Sequence, residues 1–108
     1  MIARIWHGKT RRDRADAYSD FLDARAIPDY RSVRGNLAAY ALRLDEHDET
    51  HFLTLSFWES EDSIRAFAGP DVLQAKYYPE DSGVLLELEP EVVHYQVVAG
   101  DPVFSAAG

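Results

Sequence analysis

The chain has 108 residues, of which 46% are hydrophobic and 12% aromatic, so it has the size and composition of one globular domain. Its net charge of −8 argues against nucleic acid and against an anionic membrane surface, because both reward clustered lysine and arginine. The absence of cysteine excludes thiol catalysis, disulfides and thiolate metal sites. The N-terminus is too short and too polar for a secretory signal, and no apolar run approaches the roughly 20 residues that span a bilayer. We therefore expect a cytoplasmic protein.

The first third of the chain predicts a strand followed by a helix. Residues 2–7 are rich in strand-forming side chains. Thr10 and Asp13 have the spacing of a helix N-cap. An apolar stripe at helical spacing follows them, formed by Ala15, Tyr18, Phe21, Leu22 and Ala26. Pro28 is expected to end this helix, because proline pushes the preceding residue out of the α region.

A hairpin is predicted in the middle of the chain. Gly35 and Asn36 form a turn, and residues 37–44 form the second strand. The polar run at residues 45–49 separates that strand from a third apolar strand at residues 52–58.

A second helix is predicted after the hairpin. Ser60 is a suitable N-cap, and the following acidic residues suit the positive end of the helix dipole. Gly69 and Pro70 stop this helix, and Asp71 can cap another short one.

The last third of the chain is expected to be less regular. Residues 84–88 are apolar and form either a short extra strand or an extended loop. Residues 92–98 form the last strand, and residues 101–108 form a flexible tail.

The element order is βαββαβ, which predicts an α+β, ferredoxin-like domain over residues 1–100. Right-handed crossovers give a four-stranded antiparallel sheet with both helices on one face. The first strand then lies centrally, beside the third and the fourth.

Both faces of this sheet are predicted to be covered. Leu53, Leu55 and Phe57 point to one face, whereas Phe52 and Trp58 point to the other. The helices cover one of these faces. A second subunit is the simplest cover for the other face of the sheet, because monomers rarely leave a large apolar patch in water. We therefore predict a homodimer that packs sheet against sheet.

The segment LSFWESEDSIRAF, with the strand order and the chain length, is similar to the antibiotic-biosynthesis-monooxygenase-like family of dimeric α+β barrels. The resemblance covers residues 1 to about 98. It implies that two ferredoxin-like domains form a dimeric α+β barrel. For the quinol-forming members it implies an oxygenase without metal, haem or flavin, in which a phenolic substrate is deprotonated in a dry pocket and reacts with oxygen itself.

The resemblance also implies roles for individual residues. Trp58 matches the family tryptophan at the end of the third strand, Asn36 lies where an orienting asparagine could serve, and Tyr77 or Tyr78 could supply a phenol for proton transfer. In the haem-degrading members, a tryptophan stands at the position of Phe67 and a histidine ligand near the position of Tyr77. The chain lacks that histidine, which argues against ordinary haem degradation.

The histidines and one arginine are further candidates. His7 ends the predicted first strand and is expected to face the cleft between sheet and helices, as a general base or as a histidine bound to backbone. His94 is expected near His7, but no third ligand is evident, so no metal site is predicted. His47 and His51 are expected in solvent. Arg4 on a central strand is unusual, and it either pairs with an acid across the dimer or binds an anionic group in the barrel.

Two classes of function follow from these observations. The first is a cofactor-independent monooxygenase acting on a small aromatic or polyketide-type phenol in a pocket between sheet and helices. His7 and Tyr77 are its predicted catalytic residues, and its predicted substrate-binding residues are Trp58, Asn36, Tyr78, Phe67 and His94. The alternative is a non-catalytic dimeric protein that binds small molecules or serves in stress. A haem-handling protein is a weaker alternative.

Overall fold

The computed structural model of the protein describes residues 1–100, so the predicted tail at residues 101–108 lies outside the described residues. Four antiparallel strands form one sheet in the order β2-β3-β1-β4. Their bounds are Ile2–Arg11 for β1, Asn36–Glu46 for β2, Glu49–Trp58 for β3 and Val93–Gln96 for β4. The central position of β1, beside β3 and β4, confirms the predicted strand order.

Two helical runs connect the strands. The first is continuous and consists of a 3-10 turn at Arg12–Arg14, α1 at Ala15–Phe21, a π-helical turn at Leu22–Ala26 and α2 at Ile27–Arg31. The second is α3 at Glu61–Ala68, which follows β3. The Ser60 side chain accepts a hydrogen bond from the Ser63 backbone N–H, so the predicted N-cap is confirmed. In the described part of the chain, no helix is long and apolar enough to cross a bilayer.

Residues 70–92, here called the covering segment, run over the sheet between α3 and β4. They contain a 3-10 turn at Pro79–Asp81 and otherwise no regular element. Backbone hydrogen bonds hold the covering segment to itself and to β1, including one from the Leu86 N–H to the Lys9 carbonyl. The residues predicted as a short helix from Asp71 form only a turn, in which the Asp71 carboxylate accepts from the Leu73 N–H. Residues 84–88 form turns and bends rather than a strand.

The two faces of the sheet differ in what lies over them. On the covered face, alternate residues of β1 and β3 are buried beneath the helices and the covering segment, namely Arg4, Trp6, Thr10, Thr50, Phe52, Thr54, Ser56 and Trp58. On the open face, the strands present half-buried or exposed apolar side chains: Ile5, Leu42, Leu44, Leu53, Leu55, Phe57, Val93 and Tyr95. The predicted division of Leu53, Leu55 and Phe57 from Phe52 and Trp58 is confirmed.

Both predicted ends of the first helix are wrong. Thr10 is no helix cap, because β1 continues to Arg11 and Thr10 is buried in the sheet opposite Thr50. Pro28 does not end the helix but lies in the first turn of α2. The preceding turn widens into a π-helix, in which the Ile27 N–H bonds to the Leu22 carbonyl, and this wider turn accommodates the proline ring.

Candidate functional site

The side chains between the covered face and the helices leave two adjacent spaces, both lined by Leu22. The outer groove has a volume of about 340 Å³ and lies between β2 and the first helical run. Its strand side includes Ala39, Ala41 and Phe52, and its helix side includes Leu22 and Ile27. A volume of this size is at the low end of small-molecule sites. The groove is therefore large enough for a small aromatic ring.

The sequence of β2 explains the outer groove. Ala39 and Ala41 point to the covered face, as their pairing with Ser56 and Thr54 shows. Their small side chains leave room under the helices. The larger side chains of Tyr40 and Leu42 alternate with them.

The inner cavity is a small space deeper in the molecule, with a volume of about 10 Å³, enough for roughly one water molecule. Asp81 lines it and is only 2% exposed. One Asp81 oxygen accepts a hydrogen bond from the Tyr18 hydroxyl at 2.8 Å, and the other accepts from the Tyr78 backbone N–H at 2.7 Å. Burial raises the pKa of Tyr18, and the bond to Asp81 raises it further. Tyr18 therefore keeps its proton, and Asp81 is the acceptor of the pair.

Tyr30 lines the same inner cavity. Its hydroxyl lies 2.8 Å from the Thr54 hydroxyl, and its ring stacks on Phe67 with centroids 4.4 Å apart. Burial raises the pKa of Tyr30 more than Thr54 and Arg4 lower it. The cavity is thus lined by the phenols of Tyr18, Tyr30 and Tyr78, by the Asp81 carboxylate and by the Lys76 side chain.

Trp6 forms another part of the inner cavity and is 5% exposed. Its ring folds back over Gly8, where a Cβ atom would stand 2.5 Å from the indole carbons. Within residues 1–100, the Trp6 indole nitrogen has no hydrogen-bond partner. The Trp6 ring packs edge-on against Tyr77, with centroids 6.2 Å apart, and the Tyr77 hydroxyl donates to the Glu89 carbonyl at 2.6 Å. Burial raises the pKa of Tyr77, and the nearby Trp6 N–H lowers it by a smaller amount. The Trp6 N–H nevertheless makes no hydrogen bond to the Tyr77 hydroxyl.

Arg4 lies on the same face of β1, two residues before Trp6, and is 1% exposed. Its terminal nitrogens donate to the Val72 carbonyl at 2.5 Å and to the Gln74 carbonyl at 2.9 Å. One of them also lies 3.0 Å from His94 Nε2. Burial lowers the pKa of Arg4, but a guanidinium stays charged in proteins. Arg4 therefore fixes the covering segment to the sheet as a buried cation.

Asp29 fixes the covering segment from the helical side. Its carboxylate accepts from the Tyr78 hydroxyl at 2.5 Å and from the Lys76 ammonium at 2.8 Å. Burial alone would raise the pKa of Asp29, but these two bonds outweigh burial and lower it overall. Burial raises the pKa of Tyr78, and Asp29 raises it further. The contacts to Arg4 and Asp29 together hold the covering segment over the inner cavity.

The predicted position of His7 in the cleft is wrong. His7 lies in mid-strand, and the period of two along β1 puts its side chain on the open face, opposite to Arg4 and Trp6. Its Nδ1 contacts the Glu89 carboxylate, and its Nε2 lies 3.0 Å from His51 Nδ1. His51, expected in solvent, is half-buried and stacks on His7. The catalytic role of His7 stays a prediction that has no contact with the cleft to support it.

His94 is not beside His7 as predicted. The register pairs His94 with Arg4, which places it on the covered face. Its ring nitrogen faces the Arg4 guanidinium and acts as the acceptor, because arginine has no acceptor to offer. Burial lowers the pKa of His94, and the charge of Arg4 lowers it further. His94 is therefore neutral in this arrangement.

Three other predicted site residues have structural contacts. Trp58 is fully buried against Phe67, with centroids 5.6 Å apart, and its indole N–H donates to the Ser56 hydroxyl at 2.9 Å. Asn36 lies at an irregularity in β2, where its amide donates to the Ala38 and Phe57 carbonyls at 3.3 Å. Trp58, Phe67 and Asn36 line neither space. Their substrate-binding roles stay predictions.

Of the residues that line the inner cavity, Tyr78 was a predicted site residue, and sequence reasoning missed most of the others. Trp6 could have been found from the period of two in β1, which puts it on the same face as Arg4. Tyr18 was assigned to the core because of its helical spacing, which does not reveal that its hydroxyl meets a carboxylate. Asp81 lies in an irregular segment, so no pattern in the sequence indicates its burial. In the described ranges, no group of three metal-binding side chains that could hold an ion is present.

Comparisons with known proteins agree with the predicted family and with the fold. The family model of the antibiotic biosynthesis monooxygenases matches residues 1–75. A crystal structure of a MhuD mutant with two manganese protoporphyrin IX molecules bound per active site is similar to this chain, with a TM-score of 0.59 and 17% sequence identity. That likeness covers 94% of this chain and 98% of the other, and at this identity it shows the fold alone. No curated protein matches the chain.

Proposed function

Because the chain belongs to the antibiotic biosynthesis monooxygenase family, we propose that it is a monooxygenase that oxidises a small aromatic phenol without a bound metal, haem or flavin. The observation that carries the proposal is the pair of spaces between sheet and helices. The outer groove is lined on its strand side mainly by apolar side chains, together with Arg43, and is large enough for a ring. The inner cavity holds a buried carboxylate between phenols. An apolar space with a few convergent polar groups is the usual form of a small-molecule site.

In this proposal the substrate ring enters from the outer groove and its hydroxyl reaches the inner cavity. Asp81 accepts the phenolic proton, which breaks the substrate O–H bond and forms an O–H bond on the carboxylate. Tyr18 keeps its own proton and orients Asp81. The phenolate then gives electrons directly to dioxygen. One oxygen atom enters the ring, which becomes a quinone, and the other leaves as water.

Tyr77 remains a candidate for returning a proton to the reduced oxygen. Its hydroxyl is within the covering segment, and its ring packs against Trp6. Trp58 and Asn36 are proposed to act indirectly, by fixing the sheet and the position of Phe67.

The partner proposed for the open face is a second copy of the chain. Leu42, Leu44, Val93 and Tyr95 are all exposed on that face, and Leu53, Leu55 and Phe57 lie between them. Large apolar patches of this kind usually mark an interface. A twofold axis through the open face would bury the same residues of both copies.

Oxygen uptake tests the proposed reaction. Chelator-treated protein is given phenols with one or two ring hydroxyls under ¹⁸O₂, and uptake and product mass are measured. We expect uptake with at least one of them and one labelled atom per product. Asp81→Asn should lower the rate about a hundredfold or more, the size typical of a lost general base. Asp20→Asn, which changes an exposed carboxylate of α1, should leave it unchanged.

Two results would contradict the proposal. Absence of uptake across the panel would reject the oxygenase. Equal rates in Asp81→Asn and in the unaltered protein would reject Asp81 as the base, even if uptake were seen.

A non-catalytic binding protein is the second candidate, and one observation favours it. The inner cavity has a volume of only about 10 Å³, so a ring can reach Asp81 only if the covering segment moves. A protein that binds a phenol in the outer groove alone would give a calorimetric binding signal and no oxygen uptake.

The residues between sheet and helices do not fit a porphyrin. The inner cavity is far smaller than the volume that a ligand of drug size requires, and the outer groove, at about 340 Å³, is at the low end of that range. The only histidine near it on the covered face of the described strands is His94, whose Nε2 already faces Arg4. We therefore assign no step to haem, and we expect no Soret shift when haemin is added.

A further inference from the structure

Arg4 and Trp6 are adjacent on the covered face of β1, and both bury a hydrogen-bond donor without an acceptor. Arg4 Nε and Trp6 Nε1 are buried and make no hydrogen bond in the part of the chain that the structure describes. Buried donors without partners are rare in folded proteins. Trp6 lines the inner cavity, and Arg4 lies two residues before it on the same face, behind the Val72 and Gln74 carbonyls. The two unpaired donors point to an acceptor group that binds beside the inner cavity.

The charge of Arg4 is also unmatched. Its partners are the Val72 carbonyl, the Gln74 carbonyl and the neutral ring of His94, and no carboxylate among residues 1–100 hydrogen-bonds to it. Lys76, the other cation near Phe67, is paired with Asp29. A buried charge is normally paired with an opposite charge, so the Arg4 guanidinium can still form an ion pair with an anion.

The geometry at Arg4 resembles the binding of a carboxylate. The Val72 and Gln74 carbonyl oxygens contact the two terminal nitrogens at 2.5 and 2.9 Å. A carboxylate presents two oxygens that match the fork of a guanidinium, and it adds a full negative charge that carbonyl groups lack. The covering segment thus places neutral oxygens where a carboxylate would bind more strongly.

We infer that the small molecule bound between sheet and helices carries a carboxylate, which pairs with Arg4 and displaces the Val72 and Gln74 carbonyls. The ligand class is an aromatic hydroxy acid whose ring lies beside Trp6. Displacement of residues 72–76, at the start of the covering segment, also opens the inner cavity to the ring, while Asp81 keeps its hydrogen bond to Tyr18. The inference rests on the proposed function in one respect, that the space between sheet and helices is the small-molecule site.

A pair of matched ligands tests the inference with the unaltered full chain. Salicylate and salicylamide have the same ring and hydroxyl, and differ in carrying a carboxylate or a neutral amide. Calorimetric titration at neutral pH should show salicylate binding at least tenfold more tightly. Equal affinities, or no binding of either, would overturn the inference.

Variants assign the preference to Arg4. Arg4→Met keeps the length of the side chain and removes its charge, and it should abolish the preference for salicylate. Arg65→Met, which changes an exposed arginine of α3, should keep it. A preference that survives in Arg4→Met would overturn the assignment.

Proteolysis tests the displacement and needs no variant, so it stands even if Arg4→Met fails to fold. The chain has two lysines, Lys9 in the central strand β1 and Lys76 in the covering segment. A lysine-specific endoproteinase should cut after Lys76 several-fold faster with salicylate, and at an unchanged rate with salicylamide. An unchanged rate with saturating salicylate would overturn the displacement.

Failure of this inference can be told apart from failure of the proposed function. A preference for salicylate without oxygen uptake from any phenol would reject the oxygenase and keep the carboxylate site. Uptake with neutral phenols, without any preference for salicylate, would keep the oxygenase and overturn the carboxylate site.

Discussion

The two faces of the sheet are built from alternate residues of the same strands, and yet they carry different chemistry. The covered face holds polar groups in an aromatic setting, among them Arg4, Thr54 and Ser56, with Asp81 packed above them. The open face is lined mainly by aliphatic and aromatic side chains, with the His7–His51 pair at one side. Burying polar groups costs free energy unless they are hydrogen-bonded, so their presence on one face needs a reason.

The difference indicates that the two faces bind different partners. An apolar face without a cover suits a permanent contact with a second copy, because such contacts gain from buried apolar area. A buried face with a cation, a carboxylate and neutral phenols suits a ligand that carries polar groups of its own. Each face can be tested by a variant that changes it and spares the other.

The first prediction concerns the open face. Leu42→Asp places a carboxylate in the proposed interface, and we expect the dimer dissociation constant to rise at least about a hundredfold, equivalent to roughly 3 kcal/mol. Leu86→Asp is the matched control, because Leu86 is 44% exposed and Leu42 is 43% exposed, but Leu86 lies in the covering segment. Sedimentation velocity over a range of concentrations measures the dimer dissociation constants of both variants. Dissociation in both variants, or in neither, would remove the distinction between the faces.

The second prediction concerns the covered face. In Gly8→Ala the new methyl group would stand 2.5 Å from the Trp6 indole, and the buried ring has little room to move. We expect a loss of roughly 1–3 kcal/mol in the free energy of unfolding, the usual size for overpacking. Urea unfolding measures this loss. Adding Trp6→Phe should recover part of the lost stability. If the losses of the two single variants simply add in the double variant, Gly8 and Trp6 are not in contact.

The third prediction concerns His94, and its effect is the smallest. Well above pH 6.5, the ordinary pKa of histidine, the His94 imidazole is neutral in the folded and unfolded chains. It then contributes nothing to the pH dependence of stability. Below pH 6.5, the unfolded chain takes up a proton that the folded chain resists, because the pKa of folded His94 is lowered. Stability should therefore fall with falling pH until the folded pKa is passed.

Urea unfolding between about pH 5 and pH 8 measures how steeply the free energy of unfolding changes with pH. His94→Gln should reduce this slope, whereas His47→Asn, in the exposed hairpin turn, should not. The same slope in His94→Gln would mean that the lowered pKa of His94 has no effect on folding.

Most of the fold could be predicted because it depends on local patterns. The alternation in β3 and the Ser60 cap are both visible in the sequence, and both faces of β3 are as expected. The boundary at Pro28 could not be predicted, because a π-helical turn absorbs a proline that would otherwise end the helix. The length of β1 was also underestimated. His7 was expected in the cleft as the end of a short strand, whereas the period of two along β1 puts it on the open face.

The candidate site was predicted less well, because it depends on contacts between distant parts of the chain. Arg4 was recognised as unusual in a central strand, but its partners lie about 70 residues away in the covering segment. Asp81 meets Tyr18 across 63 positions, and neither residue is part of a recognisable motif. Trp58 was matched to a family position, but its indole N–H bonds to Ser56 within its own strand.

A crystal structure with bound salicylate tests the division between the two faces most directly. We expect two copies that meet through their open faces, and in each copy a salicylate on the covered face with its carboxylate in hydrogen-bond contact with Arg4. Salicylate bound on the open face, or copies that meet through their helices, would contradict the account.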